Sequence, residues 1–211
     1  GTRRGAILTH WIFSYTTDYM NDHMEFEDTV REYVVSPLDH SFGFARCRAV
    51  FRVGGTLVFD DGMFNPARVL MSVDKFQCNS LTSVSAGIAV LLKNFEKHLT
   101  KLGGRIRWSE IGSLPLSVEL KRRMLRLMPS AKIFMHYGLT EASRTTLLDL
   151  RRDVHKLDSV GTPAPDVQVR ISDEGEILVH GPNVTPGYWG RQAEWRQRCP
   201  DGWLHTGDLG R

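Results

Sequence analysis

From Tyr33 onward the apolar positions alternate between short runs and longer helical stripes. Tyr33-Val34-Val35, Thr56-Leu57-Val58-Phe59 and residues 81–84, 105–110 and 132–135 read as strands, each closed by a turn-forming or polar residue. Residues 43–53 are predicted helical, with Gly54-Gly55 as the stop, because glycine tolerates a left-handed cap. Asn65-Pro66 pairs a capping side chain with a proline in the first turn and opens a helix to about Lys75. Ile88, Leu91, Leu92, Phe95 and Leu99 keep helical spacing across 86–102, ended by Gly103-Gly104. An amphipathic helix is expected over 117–128, before Pro129. Upstream, Trp11, Ile12, Tyr15, Tyr19 and Met20 approximate helical spacing as far as Met24, against the β-branched pair Thr16-Thr17.

This alternation predicts an α/β fold: a mostly parallel sheet flanked by helices. Ligands in such sheets bind beyond the carboxyl ends of the strands, so the loops after Leu38, Glu110 and Met135 are the first places to look for chemistry. After Gly161-Thr162-Pro163-Ala164-Pro165 the rhythm shortens. Val167, Val169 and Ile171 alternate with polar residues, Glu174-Gly175 makes a turn, and Ile177-Leu178-Val179 follows. A small antiparallel β subdomain over 160–211 is expected after an α/β subdomain over 1–159.

Composition narrows the function classes. The chain has 211 residues, 41% of them hydrophobic and 24% charged, which suits a globular domain with a sizeable core. A net charge of +3, with Lys and Arg spread along the chain, gives no support to nucleic-acid binding. Cys47, Cys78 and Cys199 lack metal-ligand or redox spacing and read as reduced thiols of a cytoplasmic protein. No apolar run approaches the roughly 20 residues of a membrane span. The chain opens inside a glycine-containing loop and ends directly after a polar motif, so a piece of a longer protein is expected.

Five polar stretches carry the candidate chemistry. They are Gly5-Ala6-Ile7-Leu8-Thr9-His10 with Gly1-Thr2 before it, Pro37-Leu38-Asp39-His40-Ser41-Phe42-Gly43, Tyr137-Gly138-Leu139-Thr140-Glu141, the run from Glu176 through Asn183 to Gly187-Tyr188-Trp189, and Asp201 to Arg211. Tyr137 offers a flat face for a base. Glu141 is a hard oxygen ligand suited to Mg2+. Taken singly, each has an ordinary reading: a core tyrosine, a solvated carboxylate, a turn hydroxyl at Thr140.

In their collinear order these stretches closely resemble the large N-terminal domain of adenylate-forming enzymes: acyl-CoA synthetases, luciferases and nonribosomal-peptide adenylation domains. Acyl-CoA synthetases are the nearest subgroup. The resemblance covers essentially the whole chain and implies ATP-dependent activation of a carboxylic acid to an acyl-adenylate, with pyrophosphate released. Transfer to a thiol follows, of coenzyme A or of the phosphopantetheine of an acyl carrier protein. ATP and Mg2+ are the implied cofactors, and nucleic acid is not an implied partner. The family's earlier N-terminal portion and mobile C-terminal domain lie outside these residues, so 211 residues alone are expected to catalyse little.

The resemblance also implies roles. Thr140 would donate to the α-phosphate, Glu141 would hold Mg2+, and Asp208 would accept the ribose hydroxyls, with Arg211 facing the same sugar. His136, Tyr137 and Gly138 would bind the nucleotide, Tyr137 stacking on the adenine, and Gly112-Ser113-Leu114 would line the adenine and the acyl pocket. His40 falls where the family gates the acyl-carboxylate site, the alternative being a satisfied core histidine. Asp39 either senses a polar or amino-bearing acid or is a turn residue beside Pro37. Ser85 and Gly87, with Ala86, open the helix that lines the acyl pocket in relatives. Ser41 stands where an amino-acid-activating domain would carry an aspartate, which ranks that reading second. A non-catalytic nucleotide-binding relative on the same fold is the other alternative. The phosphate loop departs from the family pattern. Only Thr2-Arg3-Arg4 separates Gly1 from Gly5, three residues fewer than the family's loop, and Arg4 takes the place of the usual lysine. Either the loop is shortened or residues between Thr2 and Arg3 are missing from the sequence.

Overall fold

A computed structural model describes residues 4–60 and 65–211. Its larger sheet has seven strands in the order β2-β1-β3-β4-β5-β6-β7. These are β1 (Arg31–Val34), β2 (Thr56–Val58), β3 (Ser80–Val84), β4 (Trp108–Gly112), β5 (Lys132–Tyr137), β6 (Thr146–Asp149) and β7 (Thr162–Pro163). The strands from β2 through β5 pair in parallel, and β6 and β7 continue the sheet antiparallel. A second, three-stranded antiparallel sheet comprises β8 (Gln168–Ile171), β9 (Glu176–His180) and β10 (Leu204–Leu209), with β9 central. The expected α/β class and the antiparallel annex are both present.

Side chains of one strand feed two cores, as the period of two requires. Ile133 and Met135 pack with Leu81, Leu91, Leu99 and Met124 under helices α3 (Pro66–Lys75), α4 (Ser85–Asn94), α5 (Glu96–Gly103) and α6 (Val118–Leu127). Phe134, between them in sequence, joins Trp108, Tyr19, Met20 and Val50 on the side of α1 (His10–Met24) and α2 (Ser41–Arg52). Val179, Leu204 and Trp195 belong to that second cluster, so the small sheet and α7 (Gln192–Arg198) share its core. Among the described residues no helix is long and apolar enough to cross a membrane, and all three cysteines are free.

Several boundaries differ from the sequence reading. The stripe over 86–102 is two helices broken at Phe95, whose φ of −132° leaves the helical region. Phe95 N–H still closes α4 on Leu91 while its carbonyl starts α5, so the apolar spacing runs unbroken across the kink. Periodicity reports which side is buried, not the hydrogen-bond ladder. Strand β4 begins at Trp108 and ends at Gly112, later at both ends than the expected span of 105–110. Strands β6, β7 and β10 and helix α7 were not foreseen as separate elements. Leu147 and Leu148 of β6 are both buried, so that strand shows no alternation. The expected turn at Asp60-Asp61-Gly62 falls mostly outside the described residues.

Candidate functional site

The predicted loops meet at the carboxyl end of the parallel strands. A polar cavity of about 240 Å3 lies there, lined among others by His40, Ser113, His136, Gly138, Thr140 and Arg144. His40 caps α2, its Nδ1 accepting from Phe42 N–H at 3.3 Å. Asp39, next to it, is exposed and does not line the cavity.

Beyond β4 the chain turns sharply. Ser113 sits at φ 82°, a region costly for a residue with a Cβ, and Leu114 is 63% exposed. Gly112 is required where it stands: a Cβ there would lie 2.4 Å from the His136 ring. The Ser85 hydroxyl donates to the carbonyls of Leu114 and Gly112 and so braces this turn from the start of α4.

After β5, Leu139 and Ala142 exchange backbone hydrogen bonds of 3.0 and 3.2 Å, which puts Thr140 and Glu141 at the tip of a tight turn. Gly138 permits it, because a Cβ would meet Arg144 N at 2.6 Å. The Tyr137 hydroxyl donates to Asp208 Oδ2 at 2.8 Å, joining the end of β5 to β10 across 71 residues of sequence. Burial and then the Asp208 contact raise the Tyr137 phenol above its ordinary range. Asp208 and Arg211 are exposed.

Glu141 is held from the side of the small sheet. Its Oε1 accepts from the Tyr188 hydroxyl at 2.6 Å, and its carbonyl accepts from Thr185 N–H at 2.8 Å. Arg4 lies over the Tyr188 ring at 5.6 Å and pairs with Glu194 at 2.9 Å. Gly5 is exposed and accepts from Trp189 N–H, so this end of the expected phosphate loop is pinned beside Tyr188. Gly1 and Thr2 lie outside the described residues. No group of three or more His, Cys, Asp or Glu side chains that could hold a metal occurs among the described residues. Glu141 with one free carboxylate oxygen nevertheless fits Mg2+, which commonly takes one or two carboxylates and completes its shell with phosphate oxygens and water.

A second cavity, about 300 Å3 and apolar, is lined by Val35, Pro37, Val69, Val84, Gly87 and Leu91 among others. Gly87 therefore faces a pocket, whereas Ser85 is committed to bracing the turn at Gly112.

Beneath the polar cavity lies a buried charge network that the sequence reading missed. Arg46 donates to both oxygens of Glu32 at 2.8 and 2.6 Å and to Glu110 Oε2 at 2.5 Å. Arg144 donates to both oxygens of Glu110 at 3.0 and 3.1 Å. His136 Nδ1 stands 2.7 Å from Glu110 Oε1. All four ions are at most 3% exposed. A signal was available: Glu110 interrupts an otherwise core-facing strand, and Arg46 lies on the buried face of α2 beside Ala45 and Ala49.

Burial alone would raise the Glu110 carboxyl, but Arg144, Arg46 and His136 overcome it and hold it well below the carboxylate range. Burial pushes the His136 imidazole down despite Glu110. Both shifts have the same sign in linkage, because the unfolded chain takes up each proton first as pH falls. Stability is therefore expected to decline on acidification in two stages. The first begins near pH 6.5, roughly the unperturbed histidine value, and the second near pH 4.3, that of glutamate. Urea midpoints from pH 8 to about pH 3 should show both limbs, the second starting at the unfolded glutamate value, and His136→Asn should flatten the first; an unchanged first limb would contradict the assignment.

Residues 1–189 match the AMP-binding enzyme family. The chain belongs to that family. Feruloyl-CoA synthase from Amycolatopsis sp is 28% identical over 99% of the chain and 44% of its own length. A long-chain-fatty-acid–CoA ligase from Bacillus subtilis is 30% identical over the whole chain and 40% of its own length. The chain thus spans less than half the length of these curated relatives. Among solved structures, o-succinylbenzoate CoA synthetase (MenE) from Bacillus subtilis in complex with the acyl-adenylate intermediate OSB-AMP superposes with a TM-score of 0.86, at 25% identity, over 100% of this chain and 44% of that one. The same enzyme in complex with ATP and magnesium ion gives 0.84, at 25% identity, over 98% and 44%.

Proposed function

We propose that the protein carrying this chain is an AMP-forming acid–thiol ligase. A carboxylate oxygen of the acid attacks the α-phosphorus of ATP, and the bond from that phosphorus to the bridging oxygen of pyrophosphate breaks. Pyrophosphate leaves with the electron pair. A thiol, of coenzyme A or of a carrier protein, then attacks the acyl carbon and displaces AMP. The observation that carries this reading is the Tyr137–Asp208 hydrogen bond, which draws the candidate base platform and ribose carboxylate together beside Thr140 and Glu141.

In this reading Tyr137 and the turn at Gly112-Ser113-Leu114 flank the adenine, and Asp208 accepts the ribose hydroxyls through the oxygen that Tyr137 leaves free. Thr140 donates to the α-phosphate, and His40 faces the incoming carboxylate. Glu141 would hold Mg2+, which when bound neutralises charge on the phosphate oxygens. The apolar cavity at Gly87 takes the tail of the acid. Positioning and charge neutralisation supply most of the rate in such transfers. MenE, whose structures carry OSB-AMP or ATP with magnesium, supports the same chemistry by its likeness to this chain.

The test is ATP–pyrophosphate exchange by the full-length protein across aryl, fatty and amino acids. Exchange dependent on at least one acid is expected. A folded full-length protein that exchanges with none of them overturns the reading, and stimulation by amino acids alone would replace it with amino-acid activation.

A further inference from the structure

Tyr188 is 1% exposed, yet its hydroxyl reaches the candidate metal carboxylate, donating to Glu141 Oε1 at 2.6 Å. We propose that Tyr188 is a positioning residue that fixes the Glu141 carboxylate for the divalent ion. The proposal rests on the ligase reading above and adds to it a residue that this reading assigns to neither nucleotide nor acid.

The geometry around Tyr188 is that of a clamp. Its ring meets the edge of Trp195 at 5.3 Å and lies under the Arg4 guanidinium. Its main chain is pinned on both sides: Ile7 N–H donates to Gly187 at 2.9 Å and Trp189 N–H to Gly5 at 2.8 Å. Glu141, by contrast, is a long side chain at the tip of a turn, and such a chain loses considerable rotamer freedom when it takes a ligand. Tyr188 removes that freedom beforehand. One carboxylate oxygen is occupied, the other is left to bind, and Tyr188 is the only described group that donates to the carboxylate. The same tyrosine borders the segment 4–7, so the metal carboxylate and the start of the expected phosphate loop share one support.

Outer partners of metal ligands typically account for about 10–100-fold in metal affinity. Tyr188→Phe in the full-length protein should therefore raise the Mg2+ concentration for half-maximal exchange by about 10–100-fold. At saturating Mg2+ the rate should stay near the parent's, and the KM for the acid should not move. A purely structural role would instead lower the rate at every Mg2+ concentration. Titration of Mn2+ by electron paramagnetic resonance, with a non-hydrolysable ATP analogue, should show the same loss of affinity without turnover. Adding Tyr188→Phe to Glu141→Gln should then change Mn2+ affinity no further. Unchanged Mn2+ affinity in folded Tyr188→Phe overturns the proposal while leaving the ligase reading intact. A parent that neither exchanges nor binds Mn2+ with the analogue overturns both. If Tyr188→Phe does not fold, tyrosine labelled with 13C at Cζ carries the test: Mg2+ with the analogue should shift the Tyr188 signal in the parent and not in Glu141→Gln. A signal indifferent to both overturns the proposal.

Discussion

Arg46→Met should lower the unfolding free energy by about 3–5 kcal/mol, the usual cost of breaking a buried ion pair by removing one partner. Arg46 is 1% exposed and bridges two carboxylates, Glu32 on β1 and Glu110 on β4, which are themselves fully buried. The four ions balance; without Arg46 two carboxylates face one guanidinium. Methionine would fill much of the space beside Met24 and the Phe26 ring, so the loss isolates charge more than volume. Urea unfolding measures it. The diagnostic comparison is the pair Arg46→Met with Glu32→Leu, which restores balance because Arg144 still serves Glu110. That double variant should be more stable than Arg46→Met alone, since apolar replacement of a whole buried pair is often neutral. Equal or greater loss in the double variant would show that shape at α2, not charge, sets the stability.

The network also explains why one part of the site was legible in the sequence and another was not. Tyr137, Thr140 and Glu141 stand in contiguous sequence at the end of an apolar run, so strand, turn and chemistry could be read together. The turn at Gly112 was legible for the same reason, although β4 extends farther than its alternation indicated. Glu110, Arg46, Glu32 and Arg144 come from four separate stretches, and burial gives them meaning only once β1, α2, β4 and the segment between β5 and β6 are packed. Their spacing along the chain carries no period. Tyr188 lay inside a quoted motif, yet its role depends on the 47-residue separation closed by its bond to Glu141. Local chemistry was readable; partners supplied by topology were not. The antiparallel edge of the large sheet escaped for a related reason: Leu147 and Leu148 are covered on both faces, and a doubly buried strand this short resembles any apolar fragment.

Glu141→Ala in the full-length protein should depress ATP–pyrophosphate exchange by at least about 100-fold, comparable with removing a preorganised group aimed at developing charge. The fall should sit mainly in kcat, because the ion it would hold matters most when charge gathers on the phosphates. Asp208→Ala should behave differently. Losing hydrogen bonds from a carboxylate to a ribose costs roughly 10–100-fold, given about 1.5–3 kcal/mol for each bond to a charged group. Because the sugar is held alike in the ground and transition states, that cost should appear mainly in KM for ATP. Tyr137→Phe removes the donor to Asp208 but keeps the aromatic face, so its effect should follow the Asp208 pattern in weaker form. The contrast between the variants carries the argument. If Glu141→Ala and Asp208→Ala lower kcat and raise KM in the same proportion, the two carboxylates are supporting one fold rather than serving two ends of one nucleotide. If exchange survives both unchanged, the convergence of Tyr137, Glu141 and Asp208 at the strand ends is not where the adenylate forms.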